Sequence, residues 1–353
     1  MKAILFCQNN YAFGILEPIK QVLEANKDEY IWYVKDKILN DFPYKPDNHT
    51  NLISDLETFN SDVIFVPGNE APYYLRGLKT QVFHGLAGEK KGHFRIRHYF
   101  DLYLTQGPYF TNKFNKLKAI HKDFDVIETG WPKLDIYGEA KNKYNNYKIE
   151  LLKIHKAKKV ILYAPTFSPK LTSAPFLVDQ IKELASNPDY VILLKFHPLM
   201  TIEWLDTYRE LAKSVSNINF QEEKNIIKFL LISDILVSDT SSVIYEFILL
   251  DKPAITFNSI SKNINWEDSN DYNSLVLLVE RNLEKDPFAE SRAYINAQFH
   301  PYSDGKSAQR MVETAKQYIK EHGVPEKRKV SFLRRMKIHS IFGKPSKKKQ
   351  QTN

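Results

Sequence analysis

Short, unbroken runs of Ile, Val, Leu and aromatic residues recur along the whole 353-residue chain, and they constrain the fold more than any other feature. "KAILFC", "YIWYV", "DVIFVPG", "TQVFHG", "LYLTQG" and "VIETG" read as strands of the first half, and "KVILYAPTF", "YVILLKFHP", "DILVSD" and "PAITF" as strands of the second. Apolar on both faces and separated by helical patterns of about 10–15 residues, such strands belong in parallel sheets covered by helices on each side. A lysine- and asparagine-rich stretch, "YGEAKNKYNNYK", divides the two groups. The expected fold class is therefore α/β: two doubly wound, Rossmann-like domains facing a cleft. The expected boundaries are 1–140 for the first domain and 150–322 for the second, closed by "SAQRMVETAKQYIKEH", with a basic tail over 323–353.

Composition narrows the class further. A single cysteine, Cys7, excludes an internal disulfide and a cysteine-rich zinc site, and as a core thiol it fits a reducing cytoplasm. "MKAILF" reaches Gln8 too soon for a signal peptide, and no run approaches the ~20 apolar residues that cross a bilayer. The net charge of +8 belongs to one end: from Lys327 onward there are ten Lys or Arg residues and no acid, which leaves 40 basic against 42 acidic residues elsewhere. Interleaved with Val330, Phe332, Leu333, Met336, Ile338, Ile341 and Phe342, those charges suit an anionic membrane surface or a disordered solubilising tail. A nucleic-acid partner ranks last and is not expected. The expected location is cytoplasmic and peripheral on the inner face of the membrane, and removal of everything after Glu326 is expected to leave the fold intact.

In doubly wound sheets ligands bind beyond the carboxyl ends of the strands. His84 follows an apolar run directly, with Gly85, Gly88 and Gly92 opening the loop and Lys90, Lys91, Arg95 and Arg97 making it cationic. A histidine there suits removal of a hydroxyl proton near neutral pH, or it simply ends the strand. Lys195 and His197 alternate about Phe196, so both point to one side, where they would neutralise a phosphate or a departing oxyanion. "VSDTSSVIYEFILLDKP" places Asp239, Thr240, Ser241 and Ser242 between a strand and a helix. Capping accounts for one of them; four in a row suggest a phosphate cradle of backbone N–H groups and hydroxyls. Asp239 would repel phosphate and is expected to orient the loop or accept from a polyol hydroxyl. "YSDGKSAQR" repeats the arrangement with Gly305, Lys306, Ser307 and Arg310, and alone it is a capped helix. No metal-ligand cluster is evident, and no cofactor is expected.

Together these pieces resemble the CDP-glycerol glycerophosphotransferase family, which builds teichoic-acid-type polyol phosphate polymers. The matching motifs are "HG" at 84–85, "TGWPKLD" at 129–135, "YAPTF" at 163–167, "KFHP" at 195–198, "SDTSSVIYEFILLDKP" at 238–253 and "DGKSAQR" at 304–310. The resemblance implies a glycosyltransferase B fold with the nucleotide in the C-terminal domain. It implies His84 as general base, His197 as the histidine on the donor phosphates, and Ser241, Ser242 and "DGKSAQR" as phosphate-binding elements. Members often carry an aromatic and an arginine after "YAPT", where this chain has Phe167 and Ser168. The implied reaction moves glycerol phosphate, or a related polyol phosphate, from a CDP-activated donor to a hydroxyl of a glycan or lipid-linked acceptor, releasing CMP. Alternatives are a nucleotide-sugar glycosyltransferase or epimerase of the same fold, or a non-catalytic nucleotide-binding protein of envelope assembly.

Overall fold

A computed structural model describes residues 1–86, 92–223, 225–261 and 264–346. The chain forms two compact units: Met1–Gly138 with the segment from Phe299 onward, and Glu139–Gln298. The first contains a seven-stranded sheet built from β1 (Lys2–Cys7), β2 (Glu29–Val34), β3 (His49–Thr50), β4 (Val63–Val66), β5 (Leu78–Gln81), β6 (Leu102–Thr105) and β7 (Asp125–Glu128). Its order is β3-β2-β1-β4-β5-β6-β7, with every pairing parallel. The second has β8 (Lys159–Tyr163), β9 (Tyr190–Leu194), β10 (Ile218–Phe220), β11 (Ile235–Ser238), β12 (Ala254–Phe257) and β13 (Glu267–Ser269). Its order is β10-β9-β8-β11-β12-β13, again parallel throughout.

Both orders are those of doubly wound nucleotide-binding sheets, which reverse direction beside the first strand. The apolar runs produce this directly: every residue of β4, β9, β11 and β12 is buried, as a strand with helices on both faces requires. Three short strands, β3, β10 and β13, carry no such run and were not expected. β5 ends at Gln81, before the "VFHG" stretch, so His84 stands in a loop three residues past its strand.

Two expectations need correction. The helix Ser307–His322 was assigned to the second domain, but it packs on the first unit. Ala308, Met311, Val312 and Ala315 form its buried stripe, and the Tyr318 hydroxyl donates to Asp125 at 2.7 Å. The tail is also not a separable appendage. Phe332–Phe342 is a helix whose Ile338 and Phe342, together with Val330, enter the first unit's core beside Phe6 and Tyr33. The Phe342 ring meets Phe6 edge-on at 5.5 Å. Arg328 pairs with Asp101 and Asp123 and donates to the His98 carbonyl at 2.8 Å.

Candidate functional site

In the first unit the loop after β5 is held under strain. Phe83 is buried yet has φ of 60°, a left-handed conformation that costs a bulky side chain about 1–2 kcal/mol. That twist turns His84 outward, where its ring stacks on Tyr11 with centroids 5.2 Å apart. His84 Nδ1 lies 3.0 Å from the Pro67 carbonyl oxygen. A carbonyl only accepts, so Nδ1 carries the proton and the neutral ring keeps its lone pair on Nε2. Lys90, Lys91 and Gly88 of the expected cationic flap lie outside the described residues.

In the second unit Lys195 and His197 follow β9. Lys195 is buried and donates from Nζ to the Phe196 carbonyl at 3.0 Å, and burial lowers its pKa. His197 is exposed and stacked on Phe167, centroids 4.4 Å apart. Its Nδ1 accepts the Leu199 backbone N–H at 3.1 Å, so the neutral ring presents Nε2–H. Burial, then the Lys195 charge, lowers its pKa, which favours that neutral donor form. The two histidines are thus held in opposite tautomers, Nδ1–H in His84 and Nε2–H in His197.

The β11 junction divides its four residues between two tasks. Of the two roles expected for Asp239, orienting the loop and accepting from a substrate hydroxyl, the structure has the first: the side chain is fully buried as a loop brace. Its carboxylate accepts from Thr166 N and Ser173 N, each at 2.9 Å, and from Ser173 Oγ at 3.0 Å. It therefore ties the "YAPT" turn after β8 to the end of β11, at the sheet's switch point. Burial pushes its pKa up to about 6 against the opposing pull of those donors. Thr240 Oγ1 accepts from Ile260 N at 3.3 Å. Ser241 Oγ accepts weakly from Val243 N at 3.4 Å, and Ser242, the residue before the helix Val243–Ile248, makes no side-chain cap bond. Both serines stay partly exposed at the crevice where such sheets bind ligands.

The "DGKSAQR" loop departs from expectation. Its amides do not stand open for phosphate, because Asp135 of "TGWPKLD" accepts from Ser307 N and Ala308 N at 2.8 Å each. Arg310 is engaged by the Thr129 carbonyl and Asp304, and its guanidinium lies 4.2 Å from the Tyr302 ring centroid. Gly305 has φ of +69°, and a Cβ there would come within 2.8 Å of the Asp135 carbonyl oxygen. Gly305, Ser307 and Arg310 thus join two segments of the first unit, and Lys306 remains exposed. The sequence pattern misled because a carboxylate and a phosphate cap a helix start through the same N–H groups. Sequence reasoning did not single out Tyr11, Phe83, Gln81 and Gln106, which surround the His84 loop; for the two glutamines the recurring "TQ" at the ends of β5 and β6 was the available signal.

Two Rossmann-like sheets with these strand orders define the glycosyltransferase B class, and a solved structure of the wall teichoic acid polymerase TagF has the same fold. It matches with a TM-score of 0.67 and 19% identity, over 91% of this chain and 89% of that one. The family profile described as CDP-Glycerol:Poly(glycerophosphate) glycerophosphotransferase matches residues 77–261, more than half of the sequence, and the chain belongs to that family. A teichoic acid glycerol-phosphate transferase of Staphylococcus aureus is 32% identical over 168 residues, 45% of this chain and 41% of that protein. A teichoic acid glycerol-phosphate primase of Bacillus subtilis is 31% identical over 233 residues, 60% of this chain and 56% of that one. The matched stretches therefore span roughly half of those relatives' own length.

Proposed function

We propose that this chain transfers glycerol phosphate, or a related polyol phosphate, from a CDP-activated donor to a hydroxyl of a glycan or lipid-linked acceptor. The observation that carries the reading is the family match over residues 77–261, supported by His84 held as Nδ1–H in the first unit and His197 held as Nε2–H in the second. The acceptor hydroxyl gives its proton to His84 Nε2 while its oxygen attacks the phosphorus that bears the polyol. The bridging P–O bond breaks, and CMP leaves with the electron pair. His197 Nε2–H, the Lys195 charge and the amides and hydroxyls around Ser241 and Ser242 hold the diphosphate and take up the charge that develops on the leaving group. Thr240 and Asp239 set the shape of that turn, and Lys306 supplies a further exposed cation toward anionic substrate. Incubation with CDP-glycerol and CDP-ribitol over an acceptor panel tests the reading. Release of CMP with polyol phosphate added to the acceptor is expected. Release of CDP would mean attack at carbon, and the transferase assignment would fail.

No helix among the described residues is long and apolar enough to cross a membrane. We assign a peripheral lipid contact to the outer face of Phe332–Phe342. Phe332, Leu333 and Met336 are 72%, 79% and 55% exposed, flanked by the exposed Lys329, Arg335 and Lys337 with no acid after Glu326. An apolar patch ringed by basic residues fits an anionic bilayer surface, where both terms add. Replacing Phe332, Leu333 and Met336 together by serine should weaken sedimentation with phosphatidylglycerol vesicles by about tenfold or more, since each side chain contributes roughly 1 kcal/mol or more on insertion. The substituted residues are outside the core, so melting should be unchanged. Equal sedimentation of the two folded proteins would remove the lipid contact from the account.

A further inference from the structure

Two buried carboxamides sit where a parallel sheet would ordinarily place apolar side chains. Gln81 is the last residue of β5 and Gln106 follows β6, and they are 4% and 0% exposed. Burying a primary amide is unfavourable unless its hydrogen bonds are made. Gln81 Nε2 donates to the Gly68 carbonyl at 2.7 Å and lies 3.3 Å from the Pro67 and Val66 carbonyls. Pro67 is the residue whose oxygen takes the His84 Nδ1 proton. Gln106 Nε2 donates at 3.0 Å to the carbonyl of Gly85, the residue after His84. Its Oε1 is buried without a hydrogen-bond partner among the described residues, so only the Gly85 bond fixes which way the amide faces. On the other side of His84, the strained Phe83 offers its carbonyl to Trp131 Nε1 at 3.4 Å.

These bonds flank one residue, His84. His84 is exposed, its ring stacks on Tyr11, and its Nδ1 meets the Pro67 carbonyl. We propose that Gln81 and Gln106 are positioning residues for His84: Gln81 steadies the carbonyl that fixes its tautomer, and Gln106 anchors the backbone on its far side. Both side chains are buried, and neither is assigned a substrate contact. The inference rests on His84 acting as the general base, and it adds the groups that aim that base. A base displaced by about an ångström loses of the order of a hundredfold in rate. Apolar residues at 81 and 106 would fill the same space without holding the loop.

Gln81→Met and Gln106→Met test this, with Gln81→Glu and Gln106→Glu as isosteric partners should a methionine variant fail to fold. The expected result is a fall in kcat of about 10- to 100-fold, with KM for CDP-glycerol nearly unchanged. In a His84→Ala background the same substitutions should lower turnover no further. Imidazole 15N shifts of His84 should move from a fixed Nδ1–H form toward a tautomer mixture. Folded variants with unaltered kcat and an unaltered His84 tautomer would overturn the proposal, as would an equal loss in the His84→Ala background. The 15N reading stands apart from turnover. Full activity of His84→Ala alone would end the base assignment while the shifts still report whether the glutamines hold the ring.

Discussion

Replacing His84 by alanine lowers kcat by about 10²–10⁴-fold, the contribution of a positioned general base, and leaves the dissociation constant for CDP-glycerol nearly unchanged. The expectation follows from where the side chain gets its support. Its Nδ1–H is committed to the Pro67 carbonyl, so Nε2 is the basic atom. The groups assigned to the donor diphosphate, Lys195, His197, Ser241 and Ser242, all belong to the other compact unit. Loss of the imidazole therefore removes proton acceptance without removing a donor contact. Single-turnover kinetics and calorimetric titration on the same preparation separate the two. Loss of donor binding in parallel with turnover would show that His84 is a binding residue and that the base lies elsewhere.

Ending the chain after Glu326 destabilises the first unit severely. Val330, Ile338 and Phe342 are each less than a tenth exposed, and removing them uncovers the aromatic surface of Phe6 and Tyr33. Full burial of such side chains contributes about 1.5–3 kcal/mol each, so roughly 5–9 kcal/mol is at stake, comparable with the whole stability of an ordinary domain. Asp101 and Asp123 also lose their Arg328 partner. A drop in Tm of about 10 °C or more is expected, since 1 kcal/mol corresponds to ~2–4 °C at this size. Calorimetry of the truncated and full-length proteins decides it. Coincident melting would mean that the helix rests on the surface without stabilising it.

The tail shows why part of this structure was not legible in the sequence. Its apolar residues serve two faces: Ile338 and Phe342 turn inward, whereas Phe332, Leu333 and Met336 turn outward. Two apolar faces on one short helix erase the single stripe that periodicity detects. The strands were legible because burial on both faces demands continuous Ile, Val and Leu, as in β9 and β11. His84, Lys195, His197 and the serines after β11 were legible because chemistry in such sheets collects at strand ends. Ser307 and Arg310 were assigned to substrate because a side chain that braces a loop and one that binds phosphate are the same residue types; only the partners, Asp135 and Asp304, tell them apart. Gln106 reaches a backbone carbonyl 21 residues away, and the recurring "TQ" marks the residue without telling which carbonyl it meets.

A structure of the His84→Ala protein soaked with CDP-glycerol tests the central claim most directly. The account predicts the diphosphate against His197 Nε2 and the amides of residues 241–243, with the Asp239 carboxylate still bound to Thr166 and Ser173. A nucleotide lodged anywhere else on the chain, with that turn unoccupied, would contradict it.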